Sequence, residues 1–205
     1  MRPAFPESIE TPRLRLRRWR PDDRGAFAAI WSDPDVWRAL QPGVPFDAGF
    51  GARRFGAHLR HWVDYGFGLL AAEERASGEV AGWIGPTHPL FVPELAAQIE
   101  LGWTLRRAFW GRGLATEGAR AALAASFARL DADEVLSLIA PGNARSIGVA
   151  ERLGMRHARD IVQPFPELEL RVYSIRARFS PAGGGKAHTN RAQSATGAAP
   201  AAPSA

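Results

Sequence analysis

The segment Phe109-Trp110-Gly111-Arg112-Gly113-Leu114-Ala115-Thr116-Glu117 decides how the rest of the chain is read. It joins a strand-like apolar run to a helix-like one, and its two glycines sit where the helix begins. Backbone N–H groups at a helix start have no intrahelical partner. Where glycines leave them unencumbered they form a nest for an anion, and the helix dipole adds to the attraction. Arg112 offers a further charge. The spacing is not a P-loop, because no Lys-Ser/Thr pair follows, and it is not the full six-residue dinucleotide fingerprint. Such a turn can also serve only to pack a helix on a sheet, so the flanking sequence has to decide.

Downstream, Leu114, Ala119, Ala122, Leu123, Phe127 and Leu130 fall on one face of a helix. Val135–Ala140 reads as a strand, Asn143 as the cap of a helix that Gly154 ends, and about Met155–Val162 and Leu168–Arg178 as two closing strands. Upstream, a strand at about Ala97–Leu105 follows a proline-bearing loop over Gly85–Leu95, and strands at Phe67–Glu74 and Glu79–Ile84 precede that loop, joined by a hairpin turn. A helix spans about Asp47–Tyr65 and stops at Gly66. An earlier one opens at Pro21-Asp22-Asp23, carries Ala26, Phe27, Ile30 and Trp31, and stops at Asp33-Pro34. Leu14-Arg15-Leu16-Arg17 alternates as a half-buried strand does. The order β-α-α-β-β-β-α-β-α-β-β predicts one α/β domain, a mixed sheet of about seven strands flanked by about four helices.

Composition narrows the function. The 205 residues contain no cysteine, which excludes disulfides, thiolate metal sites and a cysteine nucleophile. The sequence holds no run of about 18 apolar residues and no apolar stretch at Met1–Glu7, so the reading is a soluble cytoplasmic protein without a membrane partner. The net charge of +5 comes from scattered arginines, with Lys186 the sole lysine. Arg13, Arg15, Arg17, Arg18 and Arg20 alternate with Leu14, Leu16 and Trp19, as the outer side of an edge strand does, so a nucleic-acid partner is not expected. Residues 1–8 read as a flexible lead-in, 9–179 as the domain, and 180–205 as a low-complexity tail with too little apolar surface to order itself.

The ensemble then resembles a known family. Thr11-Pro12-Arg13-Leu14-Arg15-Leu16-Arg17, Glu100-Leu101-Gly102-Trp103, the Phe109–Glu117 loop, Asn143-Ala144-Arg145-Ser146 and Glu151-Arg152-Leu153-Gly154-Met155 occur in the order found in the GCN5-related N-acetyltransferase (GNAT) superfamily. More narrowly, they are similar to the branch containing the ribosomal-protein N-terminal acetyltransferases. The likeness spans about residues 9–179.

The resemblance implies a GNAT-like acyl-CoA N-acyltransferase fold and acetyl-coenzyme A (acetyl-CoA) as co-substrate, with no metal. It implies acetyl transfer to a primary amine, either a protein N-terminus or a small molecule, by direct attack in a ternary complex. The pantetheine arm would pair with the backbone of Trp103, Thr104 and Leu105. The pyrophosphate would rest on Gly111, Arg112, Gly113, Leu114, Ala115 and Thr116. Asn143 would contact pantetheine amides, and Ser146 the thiol sulfur.

The candidate base is Glu100, since an amine attacks a thioester only after losing its proton; a strand carboxylate that is merely solvated or paired is the other reading. Asn143 and Ser146 could equally serve as helix caps. Three departures from the family pattern stand out: Trp110 where Gln or Arg is usual, Ala150 where many relatives have an acidic tyrosine, and Leu138 where some have glutamate. The missing tyrosine leaves a non-catalytic acyl-CoA-binding or sensing domain as the alternative, against which the presence of Glu100 counts; Trp110, at a position where binding uses backbone groups, puts little in doubt. His58 and His61 read as surface or groove residues, and His88 as a possible neighbour of the acceptor. Oligomeric state stays open, a homodimer being one option.

Overall fold

Leu14 and Leu16 are fully buried while Arg15 between them is exposed, the alternation that a strand covered on one face requires. The strand they form, β2 (Leu14–Arg17), is flanked by β1 (Ser8–Glu10), and six further strands complete one sheet. These are β3 (Leu70–Glu74), β4 (Val80–Thr87), β5 (Ile99–Leu105), β6 (Glu134–Ile139), β7 (Arg156–Pro164) and β8 (Glu167–Arg176). The order across the sheet is β1-β2-β3-β4-β5-β6-β8-β7, and every pairing is antiparallel except β5 with β6. The computed structural model describes residues 4–44, 47, 49–164 and 166–177, so the tail read over 180–205 lies outside the described residues.

The five helices divide between the two faces. On one side α4 (Leu114–Arg129) and α5 (Ala144–Leu153) close over Leu14, Leu16, Ile84, Leu101, Leu105 and Val135. On the other, α1 (Arg24–Trp31), α2 (Pro34–Leu40) and α3 (Phe50–Tyr65) enclose an aromatic cluster. It includes Trp19, Phe27, Trp31, Trp37, Phe55 and Trp83. Edge-on contacts such as Trp19–Phe27, with centroids 5.2 Å apart, fix how those helices sit.

Three expectations change. Asp33-Pro34, read as a stop, also starts α2: Asp33 Oδ1 accepts from the N–H groups of Asp35 and Val36 at 2.8 and 3.4 Å, and Pro34 takes the first helical position. The lead-in is partly folded, since Phe5 is buried against Trp62 and Phe67, and β1 covers the edge that β2 was expected to form. Finally, the arginine run, read as the outer side of an edge strand, is not all outward, since Arg17 is buried. Arg13 pairs with Glu117, Arg15 with Glu10, Arg18 with Glu7, and buried Arg17 with Asp23 and Glu73. Those two carboxylates together raise the Arg17 pKa far above its ordinary range despite burial.

Candidate active site

The central feature is a fork in the sheet. β5 and β6 pair only at Ile99↔Val135 and Glu100↔Leu136 and then part. The Arg106 N–H donates to Ala81 O at 2.8 Å, so even-numbered positions at this end of β5 turn their backbone groups toward β4. Odd-numbered positions face the opening. There Leu101 O accepts from Ser137 Oγ at 2.6 Å and Leu105 O from Trp110 Nε1 at 2.7 Å. By the same alternation the Trp103 and Leu105 N–H groups point into the gap. Trp110, the departure from the usual residue, spends its indole N–H on the β5 carbonyl nearest the loop.

That gap continues into the glycine loop. Gly111 and Gly113 have φ of 73° and 77°, left-handed values that residues with a Cβ adopt only at a cost. They turn the chain so that α4 begins with its free N–H groups toward the opening. The loop is tied to the first strands through Glu117. Its carboxylate accepts from Thr11 Oγ1 at 2.7 Å, Arg13 N at 2.9 Å and Arg13 Nε at 2.7 Å, while Arg13 Nη1 donates to Arg112 O at 2.8 Å. The Arg112 guanidinium is committed elsewhere, to Glu74. The cations lining this cleft are instead Arg145 and Arg152 of α5. Arg145 lies over the Trp110 ring, 4.7 Å from its centroid, and Arg152 Nε reaches Thr116 Oγ1 at 3.4 Å.

The cleft bounded by Trp103, Thr104, Leu105, residues 109–111 and 113–116, and α5 has a volume of about 430 Å³. A second cavity of about 500 Å³ opens on the other face, between α3, the fork and the β7–β8 hairpin. Both are lined by Ala39, Leu40, Trp103, Asn143 and Ser146, so the two spaces meet at those residues.

Glu100 lies in the second cavity, only 8% exposed. Burial raises its pKa to about 7, opposed by a hydrogen bond from the Leu138 N–H and by the charge of Arg54. It is therefore not a solvated strand carboxylate, because α3 covers this face of β5. Leu138, where a glutamate occurs in some relatives, contributes its amide rather than its side chain.

Asn143 caps α5, its Oδ1 accepting from Ser146 N at 3.1 Å, and its Nδ2 donates to Ala39 O of α2 at 3.1 Å. Its side chain thus joins α2 to α5 beside the junction. Ser146 lines both spaces, and Ala150 is fully buried in the core behind α5. His58 and His61, expected at a surface or groove, are both buried and line the second cavity, and His88 lies at its edge. Burial lowers the His58 pKa to about 3, so it is neutral near pH 7. Among the described residues there is no cluster of metal-ligating side chains and no helix long and apolar enough to cross a membrane.

Of the residues singled out in the sequence, Trp103, Thr104, Leu105, Gly111, Gly113, Leu114, Ala115, Thr116, Asn143 and Ser146 come together around the first cleft, and Glu100 around the second. The Arg112 side chain does not join them. Arg54, Arg145 and Arg152 were missed, although Arg145 and Arg152, two helical turns apart, fall on one face.

Comparison with known proteins accords with this geometry. Residues 13–156 match the acetyltransferase (GNAT) domain model, and the chain belongs to that family. It is 33% identical over 165 residues to the Bacillus subtilis (strain 168) protein YkkB, covering 75% of this chain and 87% of that one. An acetyltransferase from Agrobacterium tumefaciens str. C58 superposes with a TM-score of 0.70 at 30% identity, over 83% of this chain and 94% of that one. The ribosomal-protein-S5-alanine acetyltransferase of Vibrio fischeri shares the fold, with a TM-score of 0.64 at 12% identity over 82% and 96% of the two chains.

Proposed function

We propose that the chain is an N-acetyltransferase that moves an acetyl group from acetyl-CoA to a primary amine, with donor and acceptor bound together. The observation that carries this reading is the meeting of two clefts at Trp103, Asn143 and Ser146, with a buried carboxylate, Glu100, on the acceptor side. The first cleft suits the donor. A pyrophosphate needs several N–H donors and little side-chain bulk, which the Gly111–Thr116 segment provides, and Arg145 and Arg152 add charge. The Trp103 and Leu105 amides suit the pantetheine arm.

When bound, acetyl-CoA supplies an acyl group already activated as a thioester. The remaining work falls to the protein. Glu100 takes a proton from the incoming ammonium, directly or through a water, and its pKa of about 7 places it near the optimum for exchange at neutral pH. The Ser146 hydroxyl, at the junction, donates a hydrogen bond to the departing sulfur. Ala150 cannot act as an acid, so Ser146 and water are the groups left for that step. The open mouth of the second cavity, at Tyr65, Leu90 and Phe91, admits the acceptor.

The test is initial-rate kinetics of thiol release from acetyl-CoA across a panel of amines and N-terminal peptides. Direct attack gives intersecting double-reciprocal lines, and a covalent acetyl-enzyme gives parallel ones. Tight acetyl-CoA binding with no turnover on any amine would favour a sensing domain instead.

A further inference from the structure

Five buried side-chain nitrogens have no hydrogen-bond partner among the described residues: Trp19 Nε1, Trp31 Nε1, Arg54 Nε, His58 Nε2 and Trp83 Nε1. Buried polar groups are ordinarily satisfied, so unsatisfied ones that cluster call for a ligand. Four of the five belong to residues that line the second cavity. They are also neighbours: Trp31 packs on Phe50 at 4.8 Å, Arg54 lies 5.7 Å above the same ring, and His58 follows Arg54 by one turn of α3. Across from them, His58 and Trp83 are 6.3 Å apart.

Arg54 is the telling member. Arginine cannot shed its charge in a protein, so burying it without a hydrogen-bonded counter-ion is costly. No carboxylate among the described residues forms an ion pair with it, and Glu100 acts on it only through space. Trp31, Trp83 and Arg54 offer N–H donors and no acceptor. The guanidinium on this wall of the cavity would repel an ammonium and stay without a counter-ion beside an apolar group. A carboxylate answers both needs, since its two oxygens accept several hydrogen bonds and neutralise the guanidinium.

Resting on the function proposed above, we infer that the acceptor is a small amino carboxylate, whose amine faces Trp103 and Ser146 while its carboxylate seats against the Arg54 guanidinium. The rest of the cavity wall, including Leu40, Phe50, Leu69 and Phe91, suits an apolar body between the two ends. Arg54 is then a specificity residue. A protein N-terminus, with a peptide carbonyl where the carboxylate would be, leaves the guanidinium uncompensated.

The experiment compares L-leucine, L-phenylalanine, 4-aminobutanoate and 6-aminohexanoate with their primary amides as acceptors, in the wild type and in Arg54→Met. The best carboxylate should exceed its own amide in kcat/KM by roughly 10- to 100-fold, the range of a charge-assisted hydrogen bond. Arg54→Met should bring that ratio to within about threefold of one, whatever its effect on the rate common to both through Glu100. Amides that match their acids in the wild type would overturn the inference and leave the acetyltransferase reading standing. So would an Arg54→Met that slows acid and amide alike, since Arg54 would then serve only as a counter-charge to Glu100.

A second readout does not depend on turnover. With CoA present, 3-phenylpropanoate should quench the tryptophan fluorescence of wild type saturably, and neither 3-phenylpropanamide nor Arg54→Met should show that response. Equal responses to acid and amide would overturn the inference even if no amine were acetylated.

Discussion

The Glu100 carboxylate faces the Leu138 N–H across the point where β5 and β6 part, and that dipole favours its charged form. The space that opens beyond these two residues is where the two clefts meet. The carboxylate is thereby fixed to rigid strands rather than to a loop, which is what a base needs to hold its distance to a substrate.

Glu100→Gln keeps the shape and can still accept from Leu138, but it cannot take a proton. It should lower kcat by roughly 10²- to 10⁴-fold and leave acetyl-CoA affinity within about twofold. The wild-type rate should rise through a limb near the Glu100 pKa of about 7, and the variant should lose that limb. Stability should move the other way. Because the folded-state pKa is raised, the favourable contribution of protonated Glu100 is full below about pH 4.5 and is lost as pH rises through 7. Thermal melts of the variant should therefore match wild type near pH 5 and exceed it at pH 8, by at most roughly 3 kcal/mol.

Arg145 and Arg152 should matter for donor binding and little for chemistry. Neutralising either with glutamine should weaken acetyl-CoA binding by about tenfold, and the pair should also flatten its dependence on salt. Neutralising Arg112, whose guanidinium is held by Glu74, should have the smaller effect. Titrations at two ionic strengths check the ranking, and an Arg112 variant weaker than the Arg145 and Arg152 variants would reverse it.

Much of this was legible in the chain. The Leu14–Leu16 alternation, the stop at Gly66, and the Asn143 and Gly154 caps all rest on local rules, and each falls where those rules put it; only Arg17, buried against Asp23 and Glu73, breaks the strand pattern. What escaped is non-local. β1 is three residues with no alternation of its own until β2 pairs with it. β4 runs through Pro86 to Thr87, against the ordinary meaning of proline in a strand. The burial of Glu100 depends on α3, which carries Arg54, covering a face of β5 whose sequence looks solvated. Asp33-Pro34 is a lesson in reading locally: a residue pair that ends one helix also carries the cap and first residue of the next.

Asn143→Ala removes both the α5 cap and the bond to Ala39. Loss of the cap alone should cost about 1 kcal/mol. Freeing α2 from α5 should add a kinetic signature, a raised KM for both substrates, since Ala39 and Leu40 line both clefts. Asn143→Ser, which restores only the cap, should recover stability but not KM. Full recovery of both would reduce Asn143 to a helix cap.

Glu117→Gln tests whether the loop depends on the opening strands. Gln cannot match the charge facing Arg13, so the melting temperature should fall by an amount equivalent to roughly 1–3 kcal/mol. Acetyl-CoA at saturating concentration should restore part of that loss, because a ligand of the folded state stabilises it by mass action. A melt indistinguishable from wild type would show that the network is dispensable.

Every step above depends on the glycine loop receiving acetyl-CoA, and calorimetric titration of acetyl-CoA into wild type and Gly113→Val measures that directly. At φ 77° a Cβ at position 113 meets open space, its nearest neighbour being Arg13 Nη2 at 3.6 Å, so valine should act through backbone conformation and not through a clash. Circular dichroism confirms that each protein is folded. Wild type should give a one-to-one isotherm and the variant none at the same concentrations. A folded wild type that releases no heat with acetyl-CoA, or a folded Gly113→Val that binds it equally well, would contradict the claim.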